Sequence, residues 1–291
     1  MYEGDLNYLR EQQEYMRALL RVLASQMDGD RENLQGGQRL LDWPTSQMPD
    51  VIHAGYQALM VMAMEAGAEI GGWLGDRQMQ SECHGALRRL RRHVPDHLRN
   101  KQAAAMLVLA GLADPGKVCR TVIARGGAEG FSTFYGYYML EALAEGGLYD
   151  EALQIISDYW GAMLDLGATT FWEDLNYAHA AGAARIDEPV PAGKFDIHAE
   201  SGAYCYKGLR HSLCHGWASG PTPWLSRHVL GIVPLEPGCK SVAVRPHLGH
   251  LKWAEGTFPT PWGVIRVRHE RGADGKVSTS VSAPDGVRVV R

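Results

Sequence analysis

The stretch Pro234-Leu235-Glu236-Pro237-Gly238-Cys239-Lys240-Ser241-Val242-Ala243-Val244 is where the pattern of the chain changes. Up to it, apolar residues recur at the 3.6-residue period of a helix; from it onward they recur every second residue, as in a strand. Val242 and Val244 begin the new rhythm, and Val264, Ile265 and Val267, then Val277, Val281 and Val287, continue it. Turn pairs at Pro237-Gly238, Trp262-Gly263, Asp274-Gly275 and Asp285-Gly286 separate these runs, so a small antiparallel β-domain is expected over 234–291.

Working back from that point, residues 1–233 read as helices separated by Gly- or Pro-rich breaks. Asp5 can cap a helix with Leu9, Met16, Leu20 and Leu23 on one face. Ile52, Tyr56, Leu59, Ala63, Ala66 and Ile70 form a second stripe, and Leu153, Ile156, Trp160 and Met163 a third before Gly167. Asp114-Pro115 is an N-cap followed by proline at the first helical position, and Thr222-Pro223 opens a helix that Gly231 ends. Paired helices about an axis fit this succession better than a solenoid, because no repeat of fixed length is present.

The bulk numbers exclude several classes. A chain of 291 residues with 45% hydrophobic and 21% charged residues is an ordinary globular composition. The net charge is −4, and the one basic run, Arg88 to His93, lies on a short helix without interleaved aromatics. It reads as a solvated face, so no nucleic-acid partner is expected. Five scattered cysteines with no C-x-x-C pairing give neither a disulfide framework nor a zinc site. No membrane-length apolar run and no N-terminal leader pattern are present, which reads as a cytoplasmic chain.

The residues that could carry chemistry sit between the helices. Ala168-Thr169-Thr170-Phe171-Trp172-Glu173-Asp174 sets a carboxylate beside an indole. Aromatic faces pack on the C–H surfaces of sugars, and inverting glycoside hydrolysis needs a carboxylate that activates water and a second that protonates the leaving oxygen. Equally, Trp172 could be core and Glu173 a helix-terminal charge. Other acids nearby are Asp174, Asp187, Glu188, Asp196 and Glu200. Asp42 and Trp43 in Leu41-Asp42-Trp43-Pro44-Thr45 could line a subsite or simply cap and pack a loop. In His211-Ser212-Leu213-Cys214-His215-Gly216-Trp217 the two histidines are four apart, but no acidic third ligand accompanies them, so no metal is expected. His215 is a candidate for holding a sugar hydroxyl, or a satisfied buried histidine. The pairs Gly71-Gly72 and Gly126-Gly127 lack the G-K-[ST] of a phosphate loop.

Taken in order, these segments resemble the glycoside hydrolase family 78 α-L-rhamnosidases. The resemblance rests on Tyr2 to Leu9, Leu41-Asp42-Trp43-Pro44, Ala168 to Glu173, Ser212 to Gly220, Val244-Arg245-Pro246-His247 and Gly256 to Gly263. It implies a mainly α fold, an (α/α)6 six-hairpin barrel followed by an antiparallel β-sandwich. It also implies an inverting mechanism that releases L-rhamnose from a glycoside or oligosaccharide. Glu173 matches the general base; Trp172, Asp42, Trp43, His215 and Trp217 match positions about the sugar, and no cofactor is implied. Relatives carry an acidic segment with the general acid upstream of the helix that begins here. The resemblance therefore leads us to expect a barrel without its first hairpins and self-association through the exposed faces. The alternatives are an inactive carbohydrate-binding remnant and another six-hairpin glycosidase.

Overall fold

The computed structural model describes residues 2–197 and 210–290. They form two compact units, Leu6–Ala218 and a second unit in which Met1–Asp5 joins Ser219–Arg291.

The larger unit is helical, and burial sorts its helices into two layers. Three helices, α2 (Pro49–Leu74), α4 (Lys101–Leu109) and α6 (Thr133–Glu145), are buried round much of their circumference. They pack side by side, α2 on α4 and α4 on α6. The second layer comprises α1 (Leu6–Ser25), α3 (Arg77–Leu90), α5 (Pro115–Val118, continued as a π-turn over Cys119–Ile123) and α7 (Tyr149–Asp165). Of these, α3, α5 and α7 bury one face, as amphipathic helices do, and the apolar face of α1 is half-buried. A hairpin Met27–Asp28 (β1) with Arg31–Glu32 (β2) links the first two helices, and a short α8 (Tyr177–Ala180) follows α7.

Local chemistry sets the helix ends. Asp76 accepts from the Met79 amide to start α3, Asn100 from Ala103 to start α4, and Asp114 from Lys117 to start α5. Gly75, left-handed at φ 69°, stops α2. The expected stripes on α1 and α7 face the protein, whereas on α2 Leu59 and Ala66 are exposed and Gln57, Val61 and Met64 are buried. A helix enclosed by neighbours on several sides has no single apolar stripe to read. The basic run ends α3 as a solvated face: Arg91 pairs with Glu65 and Arg89 donates to the Gly29 carbonyl.

The second unit holds two three-stranded sheets. In one, β3 (Ile232–Pro234) pairs antiparallel with β4 (Ser241–Val244), which pairs parallel with β8 (Arg288–Val290). In the other, β5 (Trp253–Thr260), β6 (Gly263–Arg271) and β7 (Val277–Ser282) form an antiparallel meander. Ile232, Val242 and Val244 from the first sheet meet Ile265 and Val267 from the second in one core, which makes a sandwich. The β4–β8 pair is parallel because the whole meander intervenes, long enough for the crossover that parallel strands need.

The expected boundary at 233/234 falls inside strand β3. The helical turns α9 (Pro221–Trp224) and Leu225–Val229 belong with the sheets: a change of period marks a change of element, while packing decides the unit. Gly231 shows why that junction is close. Its φ is 70°, and a Cβ there would lie 2.3 Å from the Arg245 carbonyl.

Candidate functional site

The loops that enter the inner helices gather at one end of the helical unit. Segment 171–173 pairs with 212–215: the Glu173 amide donates to the Ser212 carbonyl at 2.8 Å, and the His215 amide donates to Phe171 at 2.8 Å. These contacts hold the segment so that its adjacent side chains face different ways. Trp172 therefore turns into the core, 0% exposed, while the Glu173 side chain keeps 12% of its surface in solvent. Of these two residues expected about the sugar, Glu173 reaches solvent and Trp172 is enclosed.

Glu173 is held from every side of its peptide. Its carbonyl accepts from Thr133 Oγ1 at 2.5 Å and from the Trp217 indole N–H at 2.6 Å, and its Oε2 accepts from the Ser212 amide at 3.0 Å. His215 Nδ1 stands 3.9 Å from the same Oε2, too far for a direct hydrogen bond. One backbone amide thus holds the carboxylate, while a hydroxyl and an indole N–H anchor the peptide behind it.

Around it runs a band of rings. His215 and Trp217 have centroids 4.3 Å apart, Trp217 stacks on Phe134 at 5.3 Å and 19°, and Phe134 meets Tyr138 edge-on at 6.4 Å. Phe134 is 37% exposed. Phe134 and Tyr138 lie four apart at the start of α6 and so share a face; neither was singled out from the sequence. Their signal was the aromatic density of Thr133-Phe134-Tyr135-Gly136-Tyr137-Tyr138 behind the N-cap Ser132. Beside His215 opens an apolar cavity of about 460 Å³, lined by Trp160, Met163, Leu164, Phe171 and Cys214.

Asp42, also expected near the sugar, is buried in this structure. It is 3% exposed and caps the turn Trp43–Thr45, accepting from the Trp43 amide at 2.9 Å. Its other oxygen accepts from Ser132 Oγ at 2.6 Å and Gln102 Nε2 at 3.2 Å. One carboxylate therefore ties the entries of α2, α4 and α6 together. Burial pushes its pKa up, against the pull of those donors. Trp43 is half-buried in the same turn.

The remaining candidates have structural partners. Asp174 is buried with its amide donating to His211 Nε2, Asp187 and Glu188 pair with Arg185, and Glu200 lies outside the described residues. Segment 210–215 is not helical, so the four-residue spacing of His211 and His215 does not put them on one face. His211 is buried against Trp172, and His215 is at the surface of the site. Among the described residues no group of three His, Cys, Asp or Glu is placed to hold a metal ion, and no helix is long and apolar enough to cross a membrane.

At the entries of the inner helices of this two-layer helical array, a held carboxylate and a band of aromatic rings come together. Residues 231–290 match the bacterial alpha-L-rhamnosidase C-terminal domain. The fold agrees along its whole length with solved α-L-rhamnosidases. The enzyme of Streptomyces avermitilis, solved with L-rhamnose, is 20% identical with a TM-score of 0.76, over 99% of this chain and 27% of that one. The family 78 rhamnosidase of Bacillus sp. GL1 is 20% identical with a TM-score of 0.77, over 99% and 31%. That of Aspergillus terreus is 15% identical with a TM-score of 0.74, over 99% and 34%. This chain thus spans about a third of the length of the structures it resembles. No curated protein matches it in sequence.

Proposed function

We propose that the chain is the part of an α-L-rhamnoside hydrolase that binds the rhamnose and activates the attacking water. The observation that carries this reading is Glu173: a carboxylate held by the Ser212 amide on a peptide anchored by Thr133 and Trp217, reached by solvent, with His215 beside it. A base must be aimed and accessible to water, and these contacts provide the aim. Ring faces are electron-rich and suit the C–H face of a deoxysugar, which gives Trp217 and Phe134 the role of platform. His215 donates to or accepts from a hydroxyl, and Trp43 stands at the neighbouring loop.

In the inverting scheme the carboxylate takes a proton from water as the water attacks the anomeric carbon from the face opposite the leaving oxygen. A nitrophenolate departs without being protonated, so a nitrophenyl α-L-rhamnoside isolates the half of the reaction assigned to Glu173. Proton NMR of such a digest is expected to show the β anomer of rhamnose first. Formation of the α anomer first would overturn inversion, and an absence of rhamnose release would overturn the hydrolytic role.

A further inference from the structure

A second cavity, of about 550 Å³, opens at the start of α4. Arg99, Lys101 and Arg125 line it together with Gln102, Pro44 and a single carboxylate, Glu129. Three cations against one acid run counter to a chain whose net charge is −4. Among the described residues no ion pair engages Arg99, Lys101 or Arg125: the Lys101 ammonium donates to the Gly127 carbonyl at 2.8 Å and lies 5.0 Å from the centre of the Phe131 ring. The amides that begin α4 add the positive end of a helix.

The backbone that presents Arg99 is unusual. Leu98 and Arg99 are both left-handed, at φ 51° and 57°, a conformation that bulky L-residues rarely adopt. Side-chain acceptors lock it, with Asp96 taking the Leu98 amide at 2.7 Å and His97 Nδ1 the Arg99 amide at 3.0 Å. Two successive residues held in this region set the direction in which the chain enters α4, and strain of this kind gathers at binding sites.

The cavity shares an end with Glu173. Gln102 lines it and also donates to Asp42 Oδ2, which accepts from Ser132; the next residue, Thr133, holds the Glu173 carbonyl. α4 and α6 are packed neighbours, so the chain of contacts from the cavity to the Glu173 peptide crosses one helix pair. We propose that this cavity binds an acidic sugar, bearing a uronate carboxylate or a sulfate ester, in the part of the substrate beyond the rhamnose. The inference rests on the rhamnoside reading for the choice of a saccharide, and on the cavity alone for the preference for an anion. Guanidinium forks match carboxylate and sulfate oxygens alike.

Calorimetry on the full chain separates the two claims. The probes are L-rhamnose, D-glucuronate, an α-L-rhamnosyl-D-glucuronate, its uncharged methyl ester, and the matching rhamnosyl sugar sulfate. The acid is expected to bind about tenfold more tightly than its ester, as loss of one charge-assisted contact requires. That gap should close in about 0.5 M salt and in an R99Q/R125Q variant, whose two exposed side chains leave the melting temperature unchanged. If the sulfate shows the larger gain, the group is a sulfate ester. Equal affinities for acid and ester, with rhamnose still bound, would overturn the cavity assignment and leave the Glu173 reading standing. Glucuronate alone binding as tightly as the disaccharide, with rhamnose unbound, would support the cavity and overturn the rhamnoside reading.

Discussion

Substituting Asp42 distinguishes a structural clasp from a sugar ligand. In Asp42→Ala the Trp43 amide, Ser132 Oγ and Gln102 Nε2 lose their shared acceptor. Gln102 keeps only a long contact to the Gly130 carbonyl at 3.4 Å. A buried donor left unmet costs about 1–3 kcal/mol, and removing the buried carboxylate returns part of its desolvation penalty. The balance is a loss of about 2–4 kcal/mol. Asp42→Asn keeps one acceptor oxygen for Trp43 but turns an amide toward Gln102, which costs about half as much. Urea unfolding measures both, and rhamnose affinity in the folded variants should stay within about threefold of the original, under the 1.4 kcal/mol of a tenfold change. Variants as stable as the parent that no longer bind rhamnose would refute the reasoning and return Asp42 to the sugar.

Individual contacts give three further outcomes. A Cβ at Gly136 would lie 2.7 Å from Trp160 Cη2, in a ring whose N–H is tied to Ala218 at 2.8 Å; Gly136→Ala should therefore lose about 1–3 kcal/mol through overpacking despite its better helix propensity, and an unchanged urea midpoint would contradict that packing. Arg17 and the α3 amide hold the Asp76 pKa far below the ordinary carboxylate value, so its contribution is present above about pH 3.9 and lost as pH falls through the folded value. Arg17→Ala should move acid unfolding to higher pH, followed by circular dichroism. His269 is buried and its pKa lowered, chiefly by desolvation; Nε2–H donates to the Leu230 carbonyl at 3.0 Å, which leaves Nδ1 to accept from Thr279 at 2.9 Å. Below about pH 6.5 the unfolded chain takes up a proton that the folded one refuses, so the β-unit loses stability with acid. Nitrogen-15 shifts should report the neutral Nε2–H tautomer at mildly acidic pH, and a doubly protonated ring there would contradict the assignment.

What the sequence revealed depended on how local the physics is. Asp114-Pro115 and the α1 and α7 stripes are local, and the structure reproduces them. The alternation of Val264 to Val267 marks β6 because one face of that strand is core. α2 misled because an inner helix is apolar on most sides, so periodicity fades as burial increases. Glu173 stood out by its neighbours, yet only the contacts with segment 212–215 decide that its side chain reaches solvent while Trp172 is enclosed. Phe134 and Tyr138 reach the site from a helix forty residues earlier, and the cavity around Arg99 and Arg125 joins segments that share no motif. The Glu32–His53–His93 chain, with contacts of 2.6 and 2.9 Å, is a tertiary arrangement of the same kind.

Hydrolysis of a nitrophenyl α-L-rhamnoside by the chain and by Glu173→Gln, read beside the affinity of each for rhamnose, bears on the assignment of the base more directly than any other measurement. Loss of a positioned base predicts a rate lower by about 10²–10⁴ with rhamnose bound as before. Turnover by the glutamine variant at the parent's rate would remove Glu173 from the chemistry.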